Sequence, residues 1–248
     1  MKRKPIFITT LIILSLTFTL AKTNAHKRGY IIHSLYGTTP TIDGTLSPQE
    51  WSDATTLTFN YTTTYIKHDG ESLYFAFNIS DPTLDPPNEG ALIYIDTNHN
   101  GSLYPSDDIA FILARNGTAL EMIGPPSSPK PPDGNWTATT QETSGGYTAE
   151  FNITYKKINI TKGIAKTLGL LLGSYDSTPY PGKIYYWPPQ NDDVGMTPSY
   201  WGDLTAEDNW IPEFQPLIAI TALMTATLIT TIIRRKQTRK RLKLQPSD

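Results

Sequence analysis

Leu73, Phe75, Phe77 and Ile79 alternate with Tyr74, Ala76 and Asn78. Tyr147, Ala149, Phe151, Ile153 and Tyr155 alternate with Thr148, Glu150, Asn152 and Thr154. A period of two is that of an extended strand with one apolar and one polar face, whereas a helix repeats every 3.6 residues. Residues 91–95 and 109–113 are short unbroken apolar runs, as in strands covered on both faces, and Leu168, Leu170 and Leu172 mark another strand. Turn clusters rich in Pro, Gly, Asn and Asp separate these runs. The pattern predicts an all-β, antiparallel two-sheet β-sandwich, jelly-roll-like in form. Ser47-Pro48-Gln49-Glu50 has the form of a capping box with Pro at the first helical position, so it should open a single turn that seats Trp51 on the core. Residues 124–134 form a Pro-rich loop.

The two ends are of another kind. Residues 1–25 carry four Lys or Arg and no acid, an apolar run over residues 6–21, and the small residues Thr23 and Ala25 before His26. This is the layout of a signal peptide. Residues 217–233 carry no charge and as a helix would rise about 26 Å, at the short end of a membrane span. Their Thr hydroxyls can bond back to the helix carbonyls. Trp210 and Phe214 stand where an interfacial aromatic belt would lie, and Arg234, Arg235, Lys236, Arg239, Lys240, Arg241 and Lys243 follow. Residues 26–210 are thus expected as an extracellular domain, 211–233 as one C-terminal transmembrane α-helix with its entry segment, and 234–248 as a basic cytoplasmic tail. The chain is expected in the cell membrane as a single-pass, type I protein, with the lipid bilayer as one partner and a membrane complex as a possible further one.

Residues 26–213 carry 10 basic and 22 acidic residues. That balance excludes nucleic acid as a partner, because phosphates must be neutralised by Lys and Arg. It favours cations. With no Cys, the domain has no disulfide to lean on. Asp96-Thr97-Asn98-His99-Asn100-Gly101, with Asp107 eleven residues after Asp96, fits the pattern of a calcium loop. Asp96, Asn98 and Asn100 would offer side-chain oxygens, Ser102 a carbonyl, and Asp107 or Asp108 the closing carboxylate. The loop follows a strand and ends in Asp rather than Glu, so it is no EF-hand. Seven sequons occur, at Asn60, Asn78, Asn100, Asn116, Asn135, Asn152 and Asn159. Glycosylation is expected at all but Asn100, which is claimed by the metal loop, and Asn78 and Asn152 fall on the polar faces of their strands. Many sequons, no Cys and Thr-rich strands suit an archaeal surface protein.

Pro40-Thr41-Ile42-Asp43-Gly44 followed by Glu50-Trp51 resembles the opening of the family 9 carbohydrate-binding modules and their DOMON-like relatives. Further segments come in the family's order: residues 69–81, 93–96, 108–113 and 146–153, then Tyr186-Trp187-Pro188 and Pro198-Ser199-Tyr200-Trp201-Gly202. The resemblance spans residues 37–204. It implies a two-sheet sandwich that binds carbohydrate or a cell-surface glycan without cutting it, and that holds structural calcium. It also implies a pair of sugar-clamping Trp residues, in the loop before the 93–96 strand and shortly before Pro198. Leu84-Asp85-Pro86-Pro87-Asn88-Glu89 and Gln190-Asn191-Asp192-Asp193-Val194-Gly195 occupy those stretches, and neither holds an aromatic. Trp51, Trp187 and Trp201 match structural positions, which leaves Trp136, Tyr180 and Tyr185 on expected loops as the candidate sugar platform. Glu150 matches a structural position as well. No arrangement typical of an enzyme nucleophile or catalytic metal is present. Some DOMON-like relatives bind haem through Met with His or Lys, which makes Met122, Met196 and His68 an alternative set. A surface interaction module or accessory subunit is the other alternative.

Overall fold

The computed structural model describes residues 29–81, 83, 89–102, 107–178, 182–189, 197–211 and 227. Its strands are β1 (Ile31–His33), β2 (Leu35–Tyr36), β3 (Thr55–Phe59), β4 (Thr62–His68), β5 (Ser72–Ser80), β6 (Gly90–Asp96), β7 (Asp108–Ala114), β8 (Ala119–Ile123), β9 (Trp136–Thr143), β10 (Gly146–Thr154), β11 (Leu168–Asp176), β12 (Lys183–Trp187) and β13 (Gly202–Thr205). One sheet runs β1-β13-β11-β6-β7-β8, with β12 also on β11. The other runs β2-β4-β5-β10-β9, with β3 also on β4. The runs at 73–79 and 147–155 become β5 and β10, paired so that Leu73, Phe75 and Phe77 lie opposite Ile153, Phe151 and Ala149. All six are fully buried, facing Ile93, Phe111, Leu170 and Leu172 of the first sheet. Burying each large side chain contributes about 2 kcal/mol of transfer free energy.

Neither sheet is purely antiparallel, which corrects the expected pairing. β1 runs parallel to β13, and β2 parallel to β4. The cause is local: one residue, Ser34, separates β1 from β2, so the chain leaves one sheet and joins the other without reversing. The Ser34 N–H donates to the Thr205 carbonyl at 2.8 Å, and its hydroxyl meets His68 Nδ1 at 2.9 Å.

The polar face of β10 is also not a water-facing one. Residues 37–54 fold over the outside of the second sheet. Trp51 packs there on Tyr74 and Ala76, outside the inter-sheet core. Its indole N–H donates to Glu150 at 2.9 Å, and the backbone N–H groups of Gly44 and Asp43 donate to the same carboxylate at 2.7 and 3.1 Å. Gly44 has a φ of 88°, and a Cβ there would stand 2.9 Å from the Thr140 carbonyl carbon, so glycine is required. Burial pushes the Glu150 carboxyl up to about 7. Lys67 is enclosed beneath the same segment, 2.9 Å from Asp53 and 5.0 Å above the Trp51 ring. The Ser47–Glu50 stretch forms turns rather than a helix, and the Glu50 carboxylate accepts from the Thr41 N–H instead of capping Ser47.

Three Trp residues fill other seams. Trp187 belongs to the inter-sheet core, and Trp201 covers the outer face of the first sheet beside Leu92, Tyr94 and Leu171. Trp210 is fully buried, tilted against His68 and donating to the Lys166 carbonyl at 3.1 Å. It is part of the domain rather than of an aromatic belt. Phe214, the signal segment, the apolar run at 217–233 apart from Thr227, and the basic tail lie outside the described residues. Among the described residues no helix is long and apolar enough to cross a membrane.

Candidate functional site

Two sets of three carboxylates stand out. The first lies where β6 ends and β7 begins. Asp96, Asp107 and Asp108 each bring one carboxylate oxygen within 4.8 Å of the others. Antiparallel pairing of β6 with β7 puts Asp96 directly opposite Asp108. Asp96 also shapes the loop, accepting the N–H groups of Gly101 at 2.8 Å and Asn100 at 3.3 Å. Asn98 and Asn100 are exposed, and their side-chain oxygens accept the backbone N–H groups of Asn100 and Ser102 at 3.0 and 2.7 Å. Ser102 is exposed as well. The three aspartates thus converge, while the loop's amides serve its turns.

Asp107 Oδ2 and Asp108 Oδ1 are enclosed and have no hydrogen-bond partner among the described residues. Burial, together with the charges of Asp96 and Asp107, pushes the Asp108 carboxyl up to about 8. An all-oxygen, doubly orphaned and mutually repelling set is the donor chemistry of a hard divalent cation such as calcium.

Two members of the second set, Asp81 and Asp176, line a groove of about 270 Å³ where β5, β11 and β12 approach, and the third, Glu89, is enclosed within reach of both. Tyr61 and Tyr185 form part of the groove wall, their rings edge to face at 5.9 Å, and Tyr61 is 64% exposed. Asp81, Thr83, Ser174 and Asp176 supply polar groups. Behind them lies an ion network that no local pattern announces. Arg115, just past β7, donates to Glu89 Oε2 at 2.6 Å and to the Thr83 carbonyl at 2.5 Å. Its other edge grips both oxygens of Glu142, at 2.8 and 2.7 Å. The side chain of Glu89 is fully enclosed, and its carboxyl is pushed up by burial despite the arginine. Its Oε1 has no partner among the described residues.

The predicted sugar platform is only partly brought together. Tyr185 is in the groove wall. Trp136 is not on a loop: it opens β9, is 1% exposed, stacks near Phe151 and donates to Glu121 at 2.7 Å. This corrects its assignment to an exposed platform, because no face of the ring is open to a ligand. Tyr180 lies outside the described residues, as do residues 84–88 and 190–195 of the two clamp stretches. Tyr61, which the sequence reading passed over, joins Tyr185; its signal was an aromatic at a strand-connecting turn.

Of the sequons, Asn60, Asn78, Asn116 and Asn159 are exposed, and Asn135 and Asn152 are half-buried. The Asn152 side-chain oxygen is enclosed without a partner among the described residues. The alternative haem set is not assembled among the described residues. Both ring nitrogens of His68 are engaged, by Ser34 and by Asp208 at 2.9 Å each, while Met122 packs on the outside of the opposite sheet and Met196 lies outside the described residues. Ser34 and His68 are 3% and 0% exposed, so this Ser–His–Asp chain fastens the two ends of the domain and meets no substrate.

The fold is that of known carbohydrate-binding modules. A family 9 module from Caldicellulosiruptor kristjanssonii in complex with cellotriose superposes with a TM-score of 0.59 at 17% identity, over 75% of this chain and 100% of that one. The glucose complex of a family 9 module from the same organism gives 0.58 at 18% identity, over 71% and 95%. A candidate carbohydrate-binding protein from Bacteroides uniformis gives 0.51 at 11% identity, over 72% and 100%. No protein-family sequence model matches the chain. No curated protein matches it either.

Proposed function

We propose that this protein is a non-catalytic carbohydrate-binding module, held at the cell surface by its C-terminal apolar segment and entered into secretion by its N-terminal one. The observation that carries the binding half is the groove. It is open, it presents the Tyr61 and Tyr185 rings, and it sets polar groups along one wall, which is how a site meets the apolar face and hydroxyl edge of a sugar. The neighbours of the same fold were captured with cellotriose and with glucose, which supports a glucan-like ligand for this groove. The Asp96, Asp107 and Asp108 set is read as a structural calcium site that closes the β6–β7 connection, and the exposed sequons as carriers of glycan.

The experiment is a glycan array probed with the full chain in detergent, with and without calcium. Retention on β-glucan spots, lost on Tyr185→Ala, is the expected result. A blank array across neutral and charged glycans removes the carbohydrate reading.

A further inference from the structure

The groove's carboxylates ask for something a neutral sugar does not supply. Asp81, Glu89 and Asp176 each bring one carboxylate oxygen within 4.8 Å of the other two. They come from three separate places, the end of β5, the start of β6 and the end of β11, so their meeting is built by the fold and not by a flexible acidic stretch. Arg115 offsets only part of the set's charge, because it is shared with Glu142. Arg115 spends its Nε and Nη2 on Glu142 and its Nη1 on Glu89 Oε2, and stands 3.9 Å from the nearest oxygen of Asp81.

The independent observation is Glu89 Oε1. It belongs to a fully enclosed side chain and has no donor among the described residues, although the carboxylate's other oxygen is paired with Arg115, and an enclosed acceptor left without a donor is costly.

We infer that Asp81, Glu89 and Asp176 form a second divalent-cation site, of calcium type, between the groove, which Asp81 and Asp176 line, and the enclosed Glu89 beside it. With Glu89 Oε2 held by Arg115, the three carboxylates supply three to five of the roughly six to eight oxygens that calcium takes, and a ligand in the groove can reach the remaining positions. A ligand's neighbouring hydroxyls complete the shell there. This ligand half rests on the carbohydrate reading; the metal half does not.

The test uses the full chain in detergent, carrying Asp108→Asn so that the loop site is silent. Terbium stands in for calcium, since the groove tyrosines Tyr61 and Tyr185 can sensitise its luminescence. The expected result is a saturable terbium signal, competed by calcium, that disappears on adding Asp176→Asn. Asp176 is only half-buried, so this variant should fold, and an unchanged melting temperature checks it. Superimposable terbium and calcium titrations with and without Asp176→Asn overturn the site. In the same Asp108→Asn background, glycan capture lost in chelator and restored by calcium supports the bridging role. Capture that is equal with and without calcium overturns that role while leaving the carbohydrate reading intact.

Discussion

The two carboxylate sets have the same number of acids and opposite designs. In the β6–β7 set, the three carboxylates repel one another, Lys166 offers its charge to Asp96 only, and Asp107 and Asp108 each keep one oxygen without a partner among the described residues. In the groove set, Arg115 is clamped between Glu89 and Glu142 and one oxygen is orphaned. The first arrangement is the one we read as a structural calcium site. The second is held in part by the protein's own cation, Arg115.

The largest effect should come from breaking the internal cation. Arg115→Met leaves Glu89 buried without a counter-charge and should cost about 3–5 kcal/mol in chemical denaturation, calcium or no calcium. A loss below about 1 kcal/mol would mean that the two sets do not differ as described. Next is the metal itself. At about 10 mM calcium and a Kd of roughly 10⁻⁴ M, linkage supplies about 2.7 kcal/mol, a rise of about 5–10 °C in melting temperature. Asp96→Ala should abolish that rise. An unaltered wild-type melting curve on adding calcium contradicts the loop site.

A smaller effect concerns protons. Asp108 holds its proton more tightly when folded, near 8, than an unfolded Asp does, near 3.9. Its contribution is therefore complete below about pH 4 and is lost as pH rises through about 8. Calcium-free protein should lose stability between those limits, and Asp108→Asn should flatten that slope; calcium should flatten it in the wild type. Parallel slopes in wild type and variant would assign the pH dependence elsewhere. The smallest effect is at the groove's rim. Tyr61→Ala should weaken glycan binding by about 1 kcal/mol, roughly fivefold in Kd, without moving the melting temperature.

The strands were legible where one face is apolar and the other is not. β5 and β10 could be read residue by residue, and β6, β7 and β11 by their unbroken runs. What could not be read was what lies over a polar face. Thr148 and Glu150 look like surface residues in any local window, but the chain from 37 to 54 covers them, and the signal was the Asp43-Gly44 and Trp51 set whose partner is about 100 residues away. Trp136 misled for the same reason: its Pro-rich approach suggests a loop, yet Glu121 and Phe151 fix it inside. The Asp96, Asp107 and Asp108 set could be named from sequence because one short loop joins its members. The ion network beside the groove was invisible because Arg115 meets Glu89, 26 residues away, through the β6–β7 pairing, and Glu142, 27 residues away, only where the two sheets pack.

The parallel β1–β13 contact has a mechanical meaning. β13 has β1 on one side and β11 on the other, bonded to both. Tension arriving through the C-terminal segment pulls β13 along its own length, so these bonds are strained together rather than unzipped one after another. The Ser34–His68–Asp208 link and the buried Trp210 sit between that segment and the strand, and would take the load first. A domain tugged from its C-terminal end while its groove is occupied would resist as a lap joint does, and the first element to yield would be the short turn ending at Trp210.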